Sequence, residues 1–111
     1  MSGNDMVEVL IERDDEGRVQ VVTLYGEDSP EGLAARMLVE APILGMKHYL
    51  HLDPEVSREG SVLRVRVDRS DLFLDREIDA IMETMVLGLQ ALAQDRPGKV
   101  AVKEVGLDVL V

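Results

Sequence analysis

The chain has 111 residues, 46 % hydrophobic and 31 % charged, with 12 basic against 22 acidic residues, two Tyr, one Phe, no Trp and no Cys. This make-up suits one globular domain with a real core, residues 1–111, rather than a disordered segment. It excludes disulfides, thiolate metal sites and a cysteine nucleophile within these residues, and the net charge of −10 with so few aromatics argues against nucleic acid and anionic membranes as partners.

The first nine residues, MSGNDMVEV, lack the basic and apolar regions of a signal peptide. No apolar run approaches the roughly 20 residues that cross a bilayer. A soluble intracellular protein is expected. In MVEVLIE, Val7, Val9 and Ile11 alternate with Glu8 and Glu12, and in RVQVVTLY, Val19, Val21, Thr23 and Tyr25 share a face. RDDEG between them, ending in Gly17, makes the two runs a hairpin, with Asp14, Asp15 and Glu16 as a solvated turn.

Ser29-Pro30-Glu31 supplies an N-cap, a proline at the first helical position and an acid in the first turn. The helix it starts is expected to bury Leu33, Met37, Leu38 and Ala41. Pro42 either ends it near Glu40 or kinks it before ILGMKHYL, two outcomes the local sequence leaves open. HYLHLDPEV and SVLRVRVD then flank the polar turn SREG as a second hairpin, with Leu63, Val65 and Val67 inward. Arg64 and Arg66 point outward, either solvated or paired with Glu8 and Glu12. His48 and His51 share a face only in a helix; in a strand they diverge, and no third ligand accompanies them, so no metal site is expected.

The longest helix runs from about Leu74 to Asp95 and stops at RPG. Ile78, Ile81, Met82, Met85, Leu89 and Leu92 make its core stripe. A second stripe of mostly small residues, Ala80, Thr84, Leu87 and Ala91, implies packing on another side, within the monomer or against a second subunit. KVAVKEVGLDVLV is a final strand with Val100 and Val102 on one face, and its apolar tail, Val105 to Val111, is expected to dock on the domain or on a partner. The order is ββαββαβ, an α+β domain with two helices on one face of a mainly antiparallel sheet.

The leading I-x-R-x-x-x-G-x-V hairpin, the glycine closing the second strand, and AIMETMVLGLQALAQDRPGKVAVKE resemble the ribosomal-processing cysteine protease (Prp) family over nearly the whole chain. The resemblance implies a small bacterial cytoplasmic protein, typically a homodimer. Such proteases remove the N-terminal extension of a large-subunit ribosomal protein. It also implies a histidine in G-H-A after the second strand and a cysteine in D-I-V-C-A-x-x-S near the first helix, where imidazole holds the thiol as thiolate. Here Gly26 matches the glycine, but Glu27 stands in place of the histidine and Asp28 in place of the alanine. A gapless count puts Val39 in the nucleophile's place, and a slip of two residues puts Met37 there.

Gly26, Glu27, Asp28 and Val39 are therefore read as a degenerate cleft with no catalytic residue and no cofactor. Ala80, Leu87 and Ala91 are read as a dimer or packing face. The expected function is a non-catalytic, dimeric binding or scaffold protein whose acidic surface suits a basic ribosomal protein. The alternative is a hydrolase with altered chemistry, using Glu27 and Asp28, and His48 or His51 with a metal.

Overall fold

The computed structural model describes residues 6–26 and 28–106. The elements are β1 (Val7–Arg13), β2 (Val19–Tyr25), α1 (Pro30–His48), β3 (Glu55–Glu59), β4 (Val62–Arg66), α2 (Asp75–Asp95) and β5 (Val100–Val105). The strands form one sheet in the order β3-β4-β2-β1-β5. Every neighbouring pair is antiparallel except β1 and β5, which are parallel; α2 follows β4 and carries the chain past β2 and β1 to the edge strand β5. This is the α+β, ββαββαβ arrangement expected from the sequence.

Alternation places Val7, Val9, Ile11, Val22, Leu24, Leu63 and Val65 on the helix-covered face, where they join Val39, Met46, Ile78, Met82 and Leu89 in the core. Val21, Thr23 and Tyr25 share the open face, but Val19 does not. The β1–β2 register slips after Glu12, which pairs with Val21 while Arg13 pairs with Val19. The extra residue, Gln20, turns Val19 and Arg13 toward the helices. On the open face Arg64 lies opposite Thr23 and Arg66 opposite Val21, both exposed. Among the described residues no ion pair joins them to Glu8 or Glu12, so the solvated alternative holds.

α1 runs unbroken through Pro42. Its buried face is Gly32, Ala35, Val39, Ile43 and Met46, not the expected Leu33, Met37, Leu38 and Ala41. Leu33 and Met37 are 61 % and 54 % exposed, and Leu38 is half-buried at the helix–helix seam. Continuation past Pro42 explains the difference, because it adds Ile43 and Met46 to the stripe that begins with Gly32 and Ala35. That stripe is the longer one, and its small first members let the helix lie close to the sheet. In α2, Ile78, Met82, Met85, Val86 and Leu89 are buried, with Ile81 and Leu92 packed against them.

The helices are antiparallel. Gly45 faces Ile81, Gly88 faces Leu38, and Arg96 pairs with Glu31 at 3.7 Å. The second hairpin is shorter on its first arm than expected: α1 takes His48, and Ser57, Arg58 and Glu59 belong to β3, leaving Gly60 and Ser61 as the turn. Gly60 has φ +61°, the left-handed conformation such a two-residue turn requires.

Candidate functional site

The loop after β2 is set by three local contacts. The Gly26 N–H donates to the Ser61 carbonyl at 3.1 Å, tying the end of β2 to the β3–β4 turn. The Ser29 hydroxyl accepts the Gly32 N–H at 2.9 Å, and Pro30 opens the helix behind it. A Cβ on Gly26 would stand 4.0 Å from the Gly32 Cα, so loop and first turn meet backbone to backbone. Gly26 is buried, Asp28 is exposed, and Glu27 lies outside the described residues.

Neither aligned position for a nucleophile faces this loop. Val39 sits in the third turn of α1 with no exposed surface, packed in the core, while Met37 lies on the helix's outer side. The residue brought against Gly26 is Gly32, which the sequence reading missed. A second glycine six residues on, in the first turn of the helix, was the available signal. Ser29 Oγ is occupied as a cap. His48 is the last residue of α1, roughly 27 Å from its start at 1.5 Å per residue, and His51 lies beyond it at φ +58°. The histidines of the altered-hydrolase alternative are thus at the other end of the molecule from Asp28. Among the described residues no group of three His, Asp or Glu side chains is placed to hold a metal ion.

The outer side of the helix pair is apolar. A groove of about 440 Å³ runs between α1 and α2, with Met37, Ala41 and Gly45 on one wall and Ala80, Ile81 and Thr84 on the other. Leu38 and Pro42 also line it. Because Pro42 has no N–H, the Leu38 carbonyl lacks its usual helical donor there. Ala80, Leu87 and Ala91 are all exposed, Leu87 by 66 %, so α1 does not cover this stripe.

At the opposite end from the Gly26 loop, guanidinium groups cross-link the elements. Arg69, only 3 % exposed, donates to the Val19 carbonyl at 2.7 Å and to Asp75 and Asp79 at 2.9 and 2.6 Å. Its Nε meets no protein acceptor. Arg18 bridges Asp14 and Asp75, and Arg13 bridges Glu83 and Glu104. The hydrogen bond from Arg69 holds the Asp75 carboxyl below its usual range. Burial pushes Asp14 up, but the N–H groups of Arg18 and Glu16 and the Arg18 guanidinium outweigh it and leave Asp14 lowered. All three arginines lining the hollow here are paired with carboxylates.

No family model matches the sequence, and no curated protein matches it. Solved structures do. SMU.848 from Streptococcus mutans superposes with a TM-score of 0.80 at 16 % identity, over 96 % of this chain and 99 % of that one. The essential ribosomal processing protease Prp from S. aureus, in complex with a covalently linked product peptide, superposes with a TM-score of 0.78 at 20 % identity, over 90 % of this chain and 100 % of that one. The same protease in complex with a substrate peptide gives 0.78 at 19 %. At these identities the likeness is one of fold, and at that level it bears out the resemblance read from the motifs. No helix among the described residues is long and apolar enough to cross a membrane.

Proposed function

We propose that this chain is a non-catalytic relative of the ribosomal processing proteases, a self-associating cytoplasmic protein that binds a peptide without cutting it. The observation that carries this reading is a Prp-like fold in a chain with no cysteine. The β2–α1 junction of that fold is present, closed by Gly26 against Gly32, and its only described hydroxyl serves as a helix cap. The cysteine that thiol proteolysis needs is absent from the 111 residues, and in the motif alignment Glu27 stands in the place of its histidine partner. The S. aureus protease is described with a substrate peptide. With a net charge of −10, a basic ribosomal-protein N-terminal segment is the complementary ligand. Gly26, Glu27 and Asp28 are the proposed remnant of the cleft. Ala80, Leu87 and Ala91 are the proposed contact between subunits.

The test is titration with a peptide carrying the N-terminal extension of the large-subunit ribosomal protein, followed by calorimetry and by mass spectrometry. Saturable binding that persists at moderate salt, with the peptide intact, is the expected result. Loss of all binding at moderate salt would reduce the reading to fold and self-association, and a cleaved peptide would overturn it.

A further inference from the structure

The two edges of the sheet are not equally guarded. β3 reads EVSRE, and Arg58 reaches back to Glu40 on α1 at 2.7 Å, so charged side chains border that edge. β5 reads VAVKEV, and Glu104 turns from the edge to Arg13 and Gln90. The Val7 N–H donates to the Lys99 carbonyl at 2.8 Å, and the parallel register sets Val7 beside Val100, Val9 beside Val102 and Ile11 beside Glu104. In such a ladder Lys99, Ala101 and Lys103 turn their peptide groups to β1, so those of Val102 and Glu104 face away from the sheet, as does the Val100 carbonyl. The Val100 N–H is taken by the Arg96 carbonyl at 3.3 Å. Among the described residues no strand lies beyond β5.

Beside this edge the open face is hollow. Tyr25, Glu8 and Ala101 form one row across β2, β1 and β5, and with Leu10 and Lys103 they line a cavity of about 400 Å³. Ala101 is the small side chain at the rim, so a longer one from beyond β5 can pass over it. Among the described residues no ion pair engages Glu8. We propose that the edge of β5 takes up an extended segment of another protein as an antiparallel sixth strand, with an arginine or lysine opposite Ala101. Its Cα lies two strand spacings from that of Glu8, roughly 10 Å, which the two side chains span between them. The stem covers Ala101 and Leu10, the cation meets Glu8, and the Tyr25 ring closes the far end. Lys103, at the next open-face position, calls for an uncharged residue opposite it. The inference goes beyond the function proposed above and does not need it, since β5 lies two strands from the strand that ends at Gly26.

The probe is a blocked pentapeptide, threonine-valine-arginine-valine-threonine, with glutamate in place of arginine as its control, titrated into isotope-labelled protein and followed by amide NMR. Saturable shifts and slowed hydrogen exchange at Val102 and Glu104 are expected, with the glutamate peptide binding about 10-fold more weakly or less well still. Val102→Pro removes the outward donor without a bond to β1, a change edge strands tolerate, and is expected to raise the dissociation constant about 10-fold. Glu8→Gln should raise it about fivefold for the arginine peptide and leave the control unaffected. Circular dichroism confirms that both variants fold. The proposal is overturned by the absence of saturable binding, by equal binding of the two peptides, or by an affinity that neither variant changes. Slowed exchange at Val102 and Glu104 that grows with protein concentration alone gives the edge to a second copy and overturns it too.

Discussion

Asp75 receives two guanidinium groups on one oxygen: Arg69 Nη2 at 2.9 Å and Arg18 Nη1 at 3.0 Å both donate to its Oδ1. The first residue of α2 thus holds the loop after β4 and the start of β2 together, and its position in the first turn also suits the positive end of the helix.

Removing the buried member of this cluster is the severe change. Arg69→Met leaves the Val19 carbonyl without its donor and Asp79 without its cation, and is expected to cost about 2–4 kcal/mol. Urea denaturation should show a lower midpoint with an unchanged slope.

Acid should act through the same carboxylates. Asp14 and Asp75 have folded-state pKa values below their unfolded ones, so the stabilisation they provide is fully present above the unfolded value near 4 and is lost as pH falls through the lowered folded value. Melting temperature is expected to be nearly level from pH 7 to about 5 and to fall below about 4. Asp75→Asn should make that acid limb shallower, as followed by circular dichroism.

The N-terminus of α1 depends on Ser29. Ser29→Ala removes the acceptor of the Gly32 N–H and is expected to cost about 1 kcal/mol, whereas Ser29→Asp should retain the cap. The comparison of melting curves separates capping from loss of a catalytic hydroxyl, because only the former is rescued by aspartate.

Position 39 tests the gapless alignment. Val39→Cys would place a thiol in the core with no histidine beside it, so neither cleavage of the ribosomal-protein peptide nor rapid reaction with a soluble thiol reagent is expected. Val39→Ala should cost about 1–3 kcal/mol by leaving a cavity.

The groove offers a stabilising change. A Cβ at Gly45 would make ordinary contact with Ile81 at 3.8 Å, so Gly45→Ala is expected to raise stability by about 0.5–1 kcal/mol through helix propensity alone. At Gly88 the corresponding Cβ would stand 3.2 Å from Leu38 Cδ2, and the gain there depends on Leu38 yielding toward the groove it lines. Thermal melts of the two variants measure the difference.

The sequence by itself determined the order of elements, the capped start of α1 and the lack of a thiol. Alternation, Ser29-Pro30 and the RPG stop act within a few residues, and no fold can supply a nucleophile that composition omits. Tertiary structure decided which of the two apolar stripes of α1 is buried, because that depends on the helix passing Pro42 and on how closely Gly32 and Ala35 approach the sheet. It also turned Val19 inward through a one-residue slip in register, separated His48 and His51 from Asp28 by the length of a helix, and gathered Arg13, Arg18 and Arg69 beside their carboxylates. These outcomes rest on contacts between residues tens of positions apart, whose free energies no local pattern encodes.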